Sequence, residues 1–304
     1  MNTLAAKNEK SSVALSSVIA AVFLTGIKLI VGIITGSLGI MAEAAHSGLD
    51  LVAAIVTLVA VRISDKPADQ EHHYGHGKIE NFSAFIETLL LLATCAWIIW
   101  EAVERLITKN VEVDASVWAF LVMIISIVVD VSRSRMLYRA ARKHNSQALE
   151  ADALHFSTDI WSSAVVILGL AGVRAAGWLP GMEYLKNADA VAALGVALIV
   201  IYVSVQLGIR TVEGLLDKAP AGLSEKIKAA VETTAHINDC HAVRVRRAGP
   251  YMFIDVHVVM DGTQTLHEAH TVTEEIEKTI QKIIPGADVT VHPEPLNILE
   301  AEPA

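Results

Sequence analysis

The chain has 304 residues, of which 53% are hydrophobic, 19% charged and 5% aromatic. A soluble globular domain is about 45–50% apolar and about 25% charged, so this balance leans towards a lipid environment. The formal charge of −9 argues against a nucleic-acid partner, and two cysteines, Cys95 and Cys240, cannot build a disulfide framework and read as small buried hydrophobes.

A helix rises about 1.5 Å per residue, so crossing a bilayer takes roughly 20 mostly apolar residues. Six stretches meet that need: Val13–Ile34, Leu38–Val61, Phe82–Trp100, Ala115–Val131 (the shortest), Leu154–Val173 and Ala188–Ile209. The first is too long for a cleaved leader, lacks a small-x-small cleavage site and carries Lys28, so it reads as a retained span. Basic residues fall on one side. Lys7 and Lys10 precede the first span, and Arg62, Lys66 and Lys78 occupy the 62–80 loop. Arg133, Arg135, Arg139, Arg142 and Lys143 fill 132–147, read as a loop. The opposite side holds only Arg105, Lys109, Arg174 and Lys186. The positive-inside rule then places both termini in the cytoplasm.

After Ile209 the character changes. From Thr211 the tail holds 15 acidic and 8 basic side chains. Leu223–Ala235 has helical spacing, while His241–Arg247 and Tyr251–Met260 alternate like half-buried strands around Ala248-Gly249-Pro250. Thr265 and Glu268 form a capping-box pattern opening a helix to about Ile284, and Asp288–His292 reads as a last strand. The expected organisation is a tail at 1–12, a six-helix membrane domain at 13–210, a small cytoplasmic α+β domain (αββαβ) at 211–296, and a C-terminal tail at 297–304.

Charges at membrane depth are costly, so they are candidates for function. His46 and Asp50 lie four apart in the second span, as do His155 and Asp159 in the fifth. Four residues place each pair on one helix face. If the faces meet, two imidazoles and two carboxylates form a tetrahedral set suited to Zn²⁺, and less selectively to Co²⁺ or Cd²⁺. Lys28, Glu43, Glu87, Asp130 and Asp152 read as structural first. In the 62–80 loop, Asp69, His72 and His76 can chelate a metal, with His73 in reserve. In the tail, His241, His257, His270 and His292, with Glu294, are further candidate ligands. His257 lies on a strand face opposite Ile254, Val256 and Val258.

With these residues the chain resembles the cation diffusion facilitator family of divalent-metal exporters, over about Ser12 to Glu294. The resemblance is carried by six spans, the Gly36-Ser37-Leu38 turn, the two helix-borne His–Asp pairs, the loop Tyr74-Gly75-His76-Gly77-Lys78-Ile79-Glu80, and Glu150-Ala151-Asp152-Ala153-Leu154-His155. It implies an integral membrane homodimer, in a bacterial cell membrane, joined partly through ferredoxin-like cytoplasmic domains. It also implies a transport site at His46, Asp50, His155 and Asp159, and a loop metal site at Asp69, His72 and His76. Cytoplasmic metal ligands would be His241, His257, His270, His292 and Glu294, the last standing where a shorter Asp is similar in charge. Many bacterial members have Asp where this chain has His46, and the two-His, two-Asp set looks more like the zinc-selective branch.

The expected activity is export of Zn²⁺ against proton entry, because histidine binds metal only when neutral and protons compete for the same nitrogen. Export of Cd²⁺, Fe²⁺ or Co²⁺ by the same route, or a non-transporting metal-sensing partner, are the alternatives. No GxxxxGK[ST] motif supports ATP drive, and no HExxH motif supports a metalloenzyme.

Overall fold

The computed structural model describes residues 3–36, 38–108, 117–176 and 188–296. The chain divides into two compact units, Met1–Val212 and Glu213–Ala304. The first is helical: α1 (Thr3–Thr35), α2 (Leu38–Ser64), α3 (Lys78–Thr108), α4 (Val117–His144), α5 (Gln147–Ala176) and α6 (Ala188–Leu215). Among the described residues, α1, α2, α3 and α6 contain stretches long and apolar enough to cross a bilayer, and α4 and α5 match them in length at 28 and 30 residues.

The apolar side chains point outwards. Ile19, Val22, Ile30 and Ile33 of α1, Val128 of α4 and Leu198 of α6 are exposed, whereas Ser17, Asp50, Thr57, Glu87, Arg133 and Asp152 are buried. This inversion is what a hydrocarbon solvent selects, since lipid offers polar groups no partner.

The basic stretch at 132–147 is helix rather than loop. Helix α4 continues to His144 and α5 begins at Gln147, so Asn145 and Ser146 are the whole connection, with Asn145 at φ 52°. Arg and Lys are strong helix formers, and Arg142 stacks on Tyr138 one turn earlier, 4.7 Å from its ring centre. Between α1 and α2, Gly36 closes the first helix at φ 64°, a conformation that favours glycine. Ser37, Lys109 and Lys186 lie outside the described residues, as do residues 1–2 and 297–304.

One end of this unit is tied by a buried polar clamp. Lys10 Nζ lies 2.6 Å from Asp65 and 3.1 Å from Glu80. Ser64 donates to the same Glu80 oxygen at 2.9 Å, and Ser146 donates to the other. Next to it, Asn81 donates to Gln147 at 2.6 Å. Glu80 therefore joins the beginnings of α1, α3 and α5 to the end of α2.

The second unit runs α7 (Leu223–Val231), β1 (Asp239–Ala248), β2 (Tyr251–Met260), α8 (Leu266–Ile283) and β3 (Asp288–Pro295). Strand β2 is central, antiparallel to β1 and parallel to β3. Both helices pack on one sheet face, where Ile227, Val231, Ile276 and Ile280 meet Val245, Ile254, Val256 and Val258. The capping box forms: Glu268 N–H donates to Thr265 Oγ1 at 3.3 Å, and Thr265 N–H to the Glu268 carboxylate at 2.8 Å. Helix α7 stops at Val231 rather than Ala235, where Thr233 turns its hydroxyl onto the Ala230 carbonyl at 2.7 Å. Strand β3 reaches Pro295, beyond the expected His292, and its prolines are tolerated because it is an edge strand.

Strand β1 contains a bulge. His241 pairs with His257 and Arg244 with Asp255, so Ala242 and Val243 together oppose Val256, and Ala242 has φ 47°. Counting back by twos from buried Val245 would send His241 into the core. The extra residue turns it onto the face of His257 instead.

Candidate metal centres

Helices α2 and α5 bring the two His–Asp pairs together. His46 Nε2 lies 3.9 Å from Asp50 Oδ1 and 3.6 Å from Asp159 Oδ1. His155 Nε2 lies 3.1 Å from Asp50 Oδ1 and 3.8 Å from Asp159 Oδ2. Each carboxylate thus faces both imidazoles. A tetrahedron with bonds of about 2.1 Å has ligand–ligand edges of about 3.4 Å, which the four His–carboxylate separations bracket; the ligand atoms of His46, Asp50 and Asp159 all lie within 4.8 Å of one another, and His155 joins them through its contacts with the two carboxylates. Asp50 and His155 are buried, while His46 and Asp159 are partly accessible. Asp159 Oδ2 has no hydrogen-bond partner among the described residues, which leaves a lone pair free for a cation.

The other membrane-depth charges form a surround. Lys28 pairs with Glu43 at 3.1 Å and donates to Ser47 at 2.8 Å, so Glu43 has a counter-ion of its own. Thr57 donates to Glu87. Arg133, placed in a loop by the sequence reading, is buried: it pairs with Asp130 at 3.3 Å, donates to Ser17 at 3.1 Å and lies 3.4 Å above the ring centre of Phe156. Ser17 in turn donates to Asp152 at 3.2 Å. Arg133 thus reaches the neighbour of His155 through its ring and Asp152 through Ser17. The signal for it in the sequence is the i,i+3 spacing of Asp130 and Arg133.

In the 62–80 loop, Asp69 lies 3.2 Å from His72 Nδ1 and 3.4 Å from His76 Nε2, and the two imidazole rings are 4.3 Å apart. The His72 backbone N–H donates to Asp69 at 2.7 Å and that of Glu71 at 3.0 Å. Led by the His72 amide, these donors hold the Asp69 carboxyl below the usual carboxylate range. His73 does not join them; its Nε2 meets the Gln70 carbonyl at 3.0 Å.

In the tail, the strand register lines up His241, His257 and His292, with Glu294 two residues on and facing the same way. His257 Nδ1 is 2.7 Å from Glu294, His241 Nε2 3.4 Å and His292 Nε2 3.9 Å. The hydrogen bond to His257, helped by the neighbouring imidazoles, keeps Glu294 ionised below its ordinary range. His270 is separate. It sits on α8, which covers the other sheet face, and its Nε2 meets Glu274 at 3.6 Å. Within one chain the close group is His241, His257 and Glu294, without His270.

Residues 14–216 match the cation efflux transmembrane domain, and 220–296 the cytoplasmic domain of cation efflux proteins. The cation-efflux pump FieF of Citrobacter koseri is 31% identical over 293 residues, spanning 96% of this chain and 95% of that protein. FieF of Salmonella arizonae is 30% identical with the same coverage. Among solved structures, the metal-bound C-terminal domain of the CzcD transporter from Thermotoga maritima is 35% identical, covering 25% of this chain and 91% of that one, with a TM-score of 0.24.

Proposed function

Because the chain belongs to the cation efflux, or cation diffusion facilitator, family of multi-pass membrane exporters of divalent metal, we propose that its cargo is Zn²⁺, exchanged for protons through His46, Asp50, His155 and Asp159. The observation that supports this most is that each of the two imidazoles lies 3.1–3.9 Å from both carboxylates. Two nitrogens and two oxygens make a borderline-soft set of four, which suits Zn²⁺ and disfavours Mg²⁺ and Ca²⁺, whose shells are larger and all oxygen. Proton coupling follows from the same atoms. A neutral imidazole binds metal and a protonated one cannot, so metal arriving from a near-neutral cytoplasm displaces protons, and protons arriving from outside displace metal. With both termini cytoplasmic, the tail cluster and the 62–80 loop lie on the loading side. We place the homodimer contact partly at the tail domains, where bound Zn²⁺ would offset acidic repulsion.

The test is metal flux in proteoliposomes under an imposed pH gradient, with Zn²⁺, Cd²⁺, Fe²⁺ and Co²⁺ offered separately. Zn²⁺ flux should follow the gradient. His46→Asp replaces one nitrogen by a charged carboxylate that can bind through both oxygens, which suits the larger Cd²⁺ and should raise Cd²⁺ flux relative to Zn²⁺ about tenfold, equivalent to about 1.4 kcal/mol. Absence of flux for every metal would favour a sensing partner, and a larger Fe²⁺ than Zn²⁺ rate in the unaltered chain would overturn the choice of zinc.

The tail cluster makes its own prediction. Titrating Zn²⁺ calorimetrically into full-length chain carrying Asp159→Ala and Asp69→Ala isolates it. A further His257→Ala should weaken binding by at least about 10–100-fold, the loss seen when even a metal ligand's supporting partner is removed. His270→Ala should leave it unchanged. Equal weakening by both would mean that the cluster draws on α8 after all.

A further inference from the structure

A groove of about 790 Å³ runs between α1 and α4. Ile127, Val128 and Val131 of α4 line one end of it, and Arg135, Arg139 and Lys143, with Glu9 and Val13 of α1 beside them, the other. On α4 the residues at 128, 131, 135, 139 and 143 recur every three or four positions, so they share one face. From Val128 to Arg139 that face rises about 16 Å. The groove therefore grades from apolar to cationic over the depth that, in one bilayer leaflet, separates acyl chains from phosphates.

Its cations are not equivalent. Lys143 is committed to Glu9, the groove's carboxylate, with contacts of 2.6 and 2.8 Å, and His144 adds a third at 3.3 Å. Arg135 and Arg139 are exposed, and their guanidinium groups have no hydrogen bond or ion pair among the described residues. Each carries a planar fork of donors that matches phosphate oxygens. Two free guanidiniums above an apolar channel leave one kind of complement: a phosphate joined to hydrocarbon.

We propose that this groove binds one anionic phospholipid, its phosphate held by Arg135 and Arg139 and an acyl chain laid along Val128 and Val131. The site rests on α1 and α4 being membrane spans and is independent of which metal is carried. It would clamp the α1–α4 contact beside the clamp at Glu80.

The experiment is native mass spectrometry of the purified full-length chain in detergent, titrated with equimolar phosphatidylglycerol and phosphatidylcholine of identical chains. At about fivefold per basic residue near a membrane surface, two arginines should favour the anionic lipid about 30-fold in the first bound position. Arg135→Gln with Arg139→Gln should bring the ratio close to one, whereas Arg135→Lys with Arg139→Lys should keep part of the preference and show that the helix pair remains folded. Arg62→Gln with Arg142→Gln removes the same charge outside the groove and should keep the full preference. Parity in the unaltered chain, preference surviving in the glutamine variant, equal loss in the outside control, or displacement of the lipid by inorganic phosphate would each overturn the site. Metal flux plays no part in this readout, so failure of zinc export and failure of the lipid site are separately visible.

Discussion

Asp159→Ala is expected to reduce Zn²⁺ flux in proteoliposomes by at least about 100-fold, the upper end of what loss of a supporting group alone costs a metal site. Two effects add. A dication loses an oxygen ligand, and the buried region loses one of two negative charges that offset it, in a medium where uncompensated charge is costly. His46, 3.6 Å from Asp159, also loses its nearest carboxylate. Asp159→Asn keeps the shape and removes only the charge, so it should behave like alanine if the carboxylate binds cargo. Both variants should elute as the unaltered chain does on size exclusion and keep the tail's zinc binding. Flux through Asp159→Asn above about a tenth of the unaltered rate, a change of about 1.4 kcal/mol, would sink the assignment.

The second large effect is on stability. Glu80→Ala should destabilise the membrane unit by about 3–5 kcal/mol, the cost of removing one partner of a buried ion pair. Glu80 is fully buried, and its loss leaves Lys10 with Asp65 alone and deprives the hydroxyls of Ser64 and Ser146 of their acceptor. For a unit of some 200 residues, each kcal/mol moves the melting temperature about 2–4 °C, so a fall of about 10 °C is expected in detergent. Glu80→Gln retains an acceptor oxygen and should fall in between. If alanine melts with the unaltered chain, the clamp holds nothing together. The same residue ends the Tyr74–Glu80 motif that the sequence singles out, and the structure gives that glutamate a mechanical reason to be there.

The six helices could be read from the sequence because long apolar runs have few alternatives in lipid, and the His–Asp pairs because a four-residue spacing is a direct statement about one helix face. The tail's αββαβ order followed from alternation and from the Thr265–Glu268 box. What escaped was of three physical kinds. Apolar content says where hydrocarbon stops, not where the helix stops, so it reads α4's last 13 residues, Arg133 among them, as loop, whereas they are helical and Arg133 lies buried over Phe156. Ligand type says nothing about layer: His257 and His270 look alike as letters, and only the structure shows that one is carried by β2 and the other by α8 across the core. Register was the third. Strict alternation cannot foresee that Ala242 takes a left-handed conformation and reverses the parity of everything before it.

That reversal has a consequence for how the tail domain can change over time. In an uninterrupted strand, the residues facing the helices and those facing away are locked into one alternating frame, and no substitution can move a side chain from one side to the other. The bulge splits β1 into two reading frames. Beyond it, Val245 and its neighbours serve the core in one phase; before it, Cys240 serves the core and His241 the open face in the other. Removal of a single residue there would therefore exchange the places of Cys240 and His241, turning the imidazole inward and the thiol outward, while Val245 and the residues beyond it keep their seats in the core.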